Sequence, residues 1–174
     1  MMRRRWVLVL LPLLVPAACG SGPADADELA SRAASIGVDP DVVYAVSLDG
    51  FEPASQSVGV YGDAGFSVAY TSPAGGFAQL TTDPRGGTDA GCVAVDDQRE
   101  CVAVHDGVAV RLSAAGDAVD EDTLRAAVEG AHPPSADELA ALFADVPDGG
   151  EPVDRGDLPP VGDGAPVDPE GAAG

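Results

Sequence analysis

The chain has 174 residues, with nine basic side chains against 29 acidic ones and a formal net charge of −20. A surface this negative repels nucleic-acid phosphates and anionic headgroups at low salt, which argues against DNA- and RNA-binding classes. Lysine and asparagine are absent and Ile36 is the single isoleucine; a GC-rich genome produces such a bias, and a salt-adapted proteome would show it too.

Arg3, Arg4 and Arg5 open the chain, an apolar run from Trp6 to Val15 follows, and the small residues Ala17 and Ala18 stand just before Cys19. That order is a secretion signal, and a cysteine directly after the small pair is the attachment point of a bacterial lipoprotein. The apolar run is about half the roughly 20 residues a membrane span needs and carries Pro12, so processing is expected in place of a retained anchor helix. Pro16 stands where the lipoprotein pattern prefers an aliphatic residue. The rival outcome is ordinary cleavage after Gly20, with Ala18 and Gly20 as the two small residues. Cysteine count favours lipidation: three cysteines in an exported protein leave one unpaired, and if Cys19 carries lipid, Cys92 and Cys101 remain as a pair. With residues 1–18 removed, six arginines would face all 29 acids, a formal charge of −23.

Residues 19–24 read as a Gly/Ser/Pro tether, and residues 25–146 as one α+β domain. A helix is expected to start with Asp25 as its cap and Glu28 completing a capping box. Leu29, Ala33 and Ile36 share one face, and Gly37 supplies the stop. The middle predicts an antiparallel meander of about five strands: Val58/Val60, Phe66/Val68/Tyr70, a weaker run Phe77–Thr82, Val102/Val104, and Val108/Val110/Leu112. Asp106-Gly107 is a strong two-residue hairpin signal, because both positions tolerate positive φ. Two helices should close the domain. The first has Asp120, Glu121 and Asp122 at its amino end, an apolar stripe of Leu124 and Val128, and Gly130 after it. The second follows Pro133-Pro134, with Ser135 and Glu138 as a capping box and Leu139, Leu142 and Phe143 facing inward. Residues 147–174 hold six prolines, seven glycines and no aromatic residue; they are read as a disordered tail, too poor in apolar surface to offset the entropy of ordering.

Candidate chemistry is sparse. Cys92 and Cys101 each open a Cys-Val-Ala-Val run, which places them on two neighbouring strands, or on one strand and its approach loop. A disulfide is expected there, since export leads to an oxidising compartment; zinc is disfavoured because only His105 stands nearby. His105 precedes the Asp106-Gly107 turn and is expected to be solvated. Gly65-Phe66-Ser67-Val68-Ala69 loosely matches a nucleophile elbow but lacks its last glycine and lies in a strand pattern. Asp117, Asp120, Glu121 and Asp122 carry enough oxygens for calcium but lack the glycine and spacing of a calcium loop, and helix capping explains them better. No catalytic residues, metal ligands or cofactor are assigned.

The layout resembles a family of actinobacterial, streptomycete-type membrane lipoproteins of unknown function. The resemblance is carried by the signal with Cys19, by DPDVVYAVSLDGFEPA at 39–54 and by SVGVYGDAGFSVAY at 57–70. It continues through DEDTLRAAVEGAHPPSADELAALF at 121–143 and VDRGDLPPVGDGAP at 153–166. It implies an envelope lipoprotein on the extracytoplasmic face of the cell membrane, with Cys19 as the one functional position to carry over. The expected role is a non-catalytic binding or interaction module, whose partner is an envelope protein, a wall component or a small ligand. The alternatives are a lipid or glycolipid carrier and, less favoured, an envelope hydrolase.

Overall fold

The computed structural model describes residues 22–86 and 89–146; Cys19 and the segment 147–174 lie outside them. The described chain is an α+β domain with one antiparallel sheet, an N-terminal helix and two C-terminal helices.

Helix α1, Ala26–Ile36, begins where the sequence places it. The Asp25 carboxylate accepts from the amides of Asp27 and Glu28, satisfying donors that a first helical turn leaves free. It ends at Gly37, whose φ of 78° few side chains adopt and whose amide turns back to the carbonyls of Ala33 and Ala34. Residues before the helix are less free than a tether. Gly22 accepts from the Ala136 amide, and the Ala24 amide donates to Pro134. Pro23 and Ser135 form a β-bridge between these two bonds.

After α1 the chain makes a short 3-10 turn at Pro40–Val42, capped by Asp39. It then runs through Val43, Tyr44, Ala45, Val46 and Leu48, nearly all buried. From Val43 to Val46 it has neither helical nor strand periodicity, because every side chain is buried; Ser47 then faces solvent. The run is held by an exchange of backbone hydrogen bonds between Ala45 and His132, and by Thr82, whose hydroxyl donates to the Val42 carbonyl.

Six strands follow among the described residues: β1 Glu52–Tyr61, β2 Gly65–Thr71, β3 Phe77–Asp83, β4 Gly91–Val95, β5 Gln98–His105 and β6 Val108–Ala115. Their order across the sheet is β1-β2-β3-β6-β5-β4. The structure therefore adds one strand to the expected five and replaces a single meander with two three-stranded ones, joined where β3 pairs with β6. β1 carries Pro53, tolerated because an edge strand has a free side. Its register shifts between Ala54 and Gly59, and there the Ser57 hydroxyl donates to the Ala54 carbonyl and accepts from the Ala69 amide. A side chain thus completes the ladder where backbone pairing lapses. The β5–β6 hairpin turns at Asp106 and Gly107, with φ of 50° and 87°, as the sequence signal requires.

Helices α2, Glu121–Glu129, and α3, Ala136–Leu142, pack on one face of the sheet. Phe66, Val68, Leu80, Cys101, Val110 and Leu112 from the strands meet Leu124, Val128, Leu139 and Phe143 there, all essentially without solvent exposure. The other face carries Ser67, Gln79, Thr81 and Ser113 alternating with the core residues, as expected of an antiparallel sheet covered on one side, together with the exposed Phe77, Val93 and Val104. Arg111 lies on it with its Nε 3.0 Å from a Glu100 carboxylate oxygen, an ion pair whose N–H is not aligned for a hydrogen bond.

Candidate functional site

Cys92 and Cys101 are directly opposite one another on β4 and β5 and form a disulfide. Of the two arrangements the sequence left open, neighbouring strands is the one found. Cys101 is fully buried against α2 while Cys92 is partly exposed, so the bond ties the outermost strand to the core.

The acidic cluster at the start of α2 is occupied by local duties. Asp120 caps the helix, accepting from both the amide and the hydroxyl of Thr123, and those hydrogen bonds lower its pKa. Glu121 and Asp122 both pair with Arg125 one turn on. Ser67 sits inside β2, with its hydroxyl directed to the Gly59 carbonyl at 3.5 Å, so the nucleophile-elbow pattern has no elbow.

The solvated position expected for His105 is corrected. Its residue number shares parity with Cys101 and Ala103 on β5, which turns its ring to the core face, where it is half-buried between the exposed Val104 and the exposed turn. The ring lies 5.8 Å from that of Tyr44, and Nε2 is 2.7 Å from the Val128 carbonyl near the end of α2. Tyr44 in turn donates to the His105 carbonyl at 3.2 Å. The residue fastens strand, helix and buried loop together.

His132 takes part in a more polar arrangement. Nδ1 is 2.9 Å from the Gly130 carbonyl, and Nε2 is 3.1 Å from both oxygens of Glu138. Glu138 Oε2 also accepts from the amide and the hydroxyl of Ser135, and Ser135 accepts from the Glu138 amide: the capping box read from the sequence is complete. With acceptors on both sides, the imidazole favours its charged form; the Gly130 carbonyl raises its pKa against partial burial, with Glu138 adding to the rise. Burial works against Glu138 ionising, yet the hydrogen bonds from Ser135 and His132 outweigh it and lower its pKa. The order Ser135–Glu138–His132 places a carboxylate between hydroxyl and imidazole. A nucleophilic triad needs the imidazole in the middle, so this set holds a helix end and activates no nucleophile.

Beside it lies the site the sequence did not reveal. A cleft of about 420 Å³ opens between the loop 45–51, the ends of β1 and β2, and α3. Its volume falls in the range of small-molecule sites. Leu48, Phe51, Pro53, Tyr70 and Leu142 supply an apolar floor, and Asp49, Asp137 and Glu138 stand at it as carboxylates. Tyr70 is 3 % exposed, and its phenol oxygen accepts from the Val46 amide at 3.4 Å. Burial pushes its pKa up to about 12, so the phenol stays protonated. Two further hollows lie at the ends of hairpins. One, of about 150 Å³, involves Asp63 and Arg85; the other, of about 520 Å³, involves Asp96, Asp97, Arg99 and Asp117. Both are lined by turns and lack an apolar floor of comparable extent.

Among the described residues no group of histidine, cysteine or carboxylate side chains is arranged to hold a metal ion, and no helix is long and apolar enough to cross a membrane. No family model, no curated protein and no solved structure matches this chain.

Proposed function

We propose that the protein is a cell-envelope lipoprotein, held on the extracytoplasmic face of the membrane by a lipidated Cys19, and that its domain is a non-catalytic binding module. The observation that carries the reading is the accounting of cysteines. Cys92 and Cys101 are bonded to each other, so of the three cysteines the one left is Cys19, directly behind the small residues that end the N-terminal signal. The resemblance to actinobacterial lipoproteins of unknown function agrees with it and enters as part of the same proposal. Two acyl chains, each contributing about 0.8 kcal/mol per buried methylene, hold a protein on a membrane where a single chain is marginal.

The binding role is supported by the cleft, a concave site with an apolar floor and a few convergent polar groups. A lipid carrier is less favoured, because the sheet's apolar face is filled by α2, α3 and the buried loop, and the cleft opens to solvent. A hydrolase is less favoured because His105 and His132 are engaged by carbonyls and by Glu138 in structural roles.

The test is Cys19→Ser expressed in an actinobacterial host. Wild type should partition into membranes, incorporate labelled fatty acid and begin with a modified residue 19 by mass spectrometry; the variant should be released or left as precursor. Unchanged membrane partitioning and processing of Cys19→Ser would refute the anchor.

A further inference from the structure

We propose that the cleft beside α3 binds a small organic cation, an amine whose apolar body lies on Leu48, Phe51 and Tyr70 and whose ammonium group faces Asp49, Asp137 and Glu138. The cleft pairs an apolar floor with an acidic rim. Leu48 and Tyr70 are 6 % and 3 % exposed, so the floor is a fixed part of the core. The charged residues lining the cleft are all acidic. An apolar ligand with an anionic end would meet three carboxylates, whereas an amine meets acceptors only.

Glu138 adds an acceptor with room for a further donor. Its hydrogen bonds keep it ionised, and they are distributed unevenly. Oε2 accepts from Ser135 twice and from His132, whereas Oε1 faces only His132 at 3.1 Å. A carboxylate has about four acceptor sites, so Oε1 can take another donor. Asp49 and Asp137 are exposed, and their attraction for a cation is modest in water; it strengthens when a ligand body displaces that water from the floor. Even when His132 is protonated it offsets only one of the three negative charges, which leaves the cleft net anionic.

The inference rests on the binding-module reading, but its test reads the cleft alone and is independent of the anchor. Detergent-solubilised, ¹⁵N-labelled full-length protein is titrated at low salt with three probes of similar shape: phenethylamine, 2-phenylethanol and 3-phenylpropionate. Phenethylamine should shift the amides of Val46, Leu48, Tyr70 and Leu142 and bind at least about tenfold more tightly than the alcohol, a difference of about 1.4 kcal/mol. The propionate should leave those amides in place. Asp49→Asn combined with Asp137→Asn should weaken the amine about tenfold while the alcohol is unchanged, and added salt should do the same to wild type. Glu138 is left intact because it caps α3. Equal affinity for amine and alcohol would overturn the proposal, as would shifts centred elsewhere, or no shift at high millimolar amine. Anchoring could still hold in each of those cases, and a failed anchor would leave the titration result standing.

Discussion

β1 and β4 are both edge strands of one sheet, yet the chain secures them differently. β1 runs ten residues, packs under α3, buries Ser55 against the Asp145 carboxylate and repairs its own register slip with Ser57. β4 runs five residues, turns Val93 outward with 55 % exposure, and offers the core little besides Cys92. A short strand of small side chains cannot bury enough apolar surface to hold its place, at roughly 25 cal/mol per Å². The covalent bond to Cys101 does that instead. One edge is fastened by packing and polar contacts, the other by redox chemistry, so the two should respond to different insults.

The largest effect is expected on the packed side. A Cβ on Gly65 would stand 1.9 Å from the Thr82 carbonyl oxygen, which is backbone and cannot swing aside. Gly65→Ala should therefore cost at least about 3 kcal/mol by forcing β2 and β3 apart. Urea unfolding would measure it, and a loss under about 1 kcal/mol would show that the strands part easily. Next comes the covalent side. Cys92→Ala, or reduction of the wild type, should cost about 2–3 kcal/mol by freeing the unfolded chain. Hydrogen exchange should then quicken across Gly91–Val95 while Glu52–Tyr61 keeps its protection; equal quickening at both edges would show that they are not fastened differently. Ser55→Ala should cost about 1 kcal/mol through the lost hydrogen bond to Asp145, and should loosen β1 alone.

The smallest effect is in the pH dependence of the His132–Glu138 pair. His132 has a raised pKa in the fold, so its contribution is complete below its ordinary 6.5 and is lost as pH climbs through the folded value. Glu138 has a lowered one, so its contribution is complete above 4.5 and is lost as pH falls through the folded value. The pair should stabilise most between those two ordinary values. Melting temperatures of wild type and His132→Ala across that range should differ most inside the window, by no more than a few degrees, and converge above it. A gap that widens at high pH would assign the wrong sign to His132.

Local chemistry made most of the elements legible. Asp25, Asp120 and Ser135 announce helix starts through carboxylate and hydroxyl groups that need no tertiary context, and Asp106-Gly107 announces its turn for the same reason. β5 and β6 were readable because Val102/Val104 and Val108/Val110/Leu112 alternate on either side of it. β4 was missed as a certain strand since Gly-Cys-Val-Ala-Val is a small continuous run with little period. The neighbouring of β3 and β6 was not readable at all, because pairing between segments about 30 residues apart leaves no local mark. Residues 43–46 have no periodicity because burial on all sides erases it. The cleft is a product of that buried loop meeting α3, so it could not be found before the loop was placed. His105 is the instructive miss. Parity with Cys101 outweighed proximity to a turn, and counting by twos along β5 would have turned it inward.

The pairing of Gly22–Ala24 with Pro134–Ala136 has a consequence for how the protein stands on a surface. With the anchor proposed at Cys19, three residue steps separate the lipid from the first backbone hydrogen bond of the domain, a reach of at most about 11 Å. A folded unit of this size is wider than that. Under that proposal it could not roll like a ball on a string. So anchored, the amino end of α3 would be kept toward the bilayer, with the cleft that shares Asp137 and Glu138 beside it, and a ligand proposed there would be met within a thin layer above the headgroups. Encounter then becomes a search in two dimensions, and lengthening residues 20–21 with a flexible insert should weaken that confinement while leaving every contact in the domain untouched.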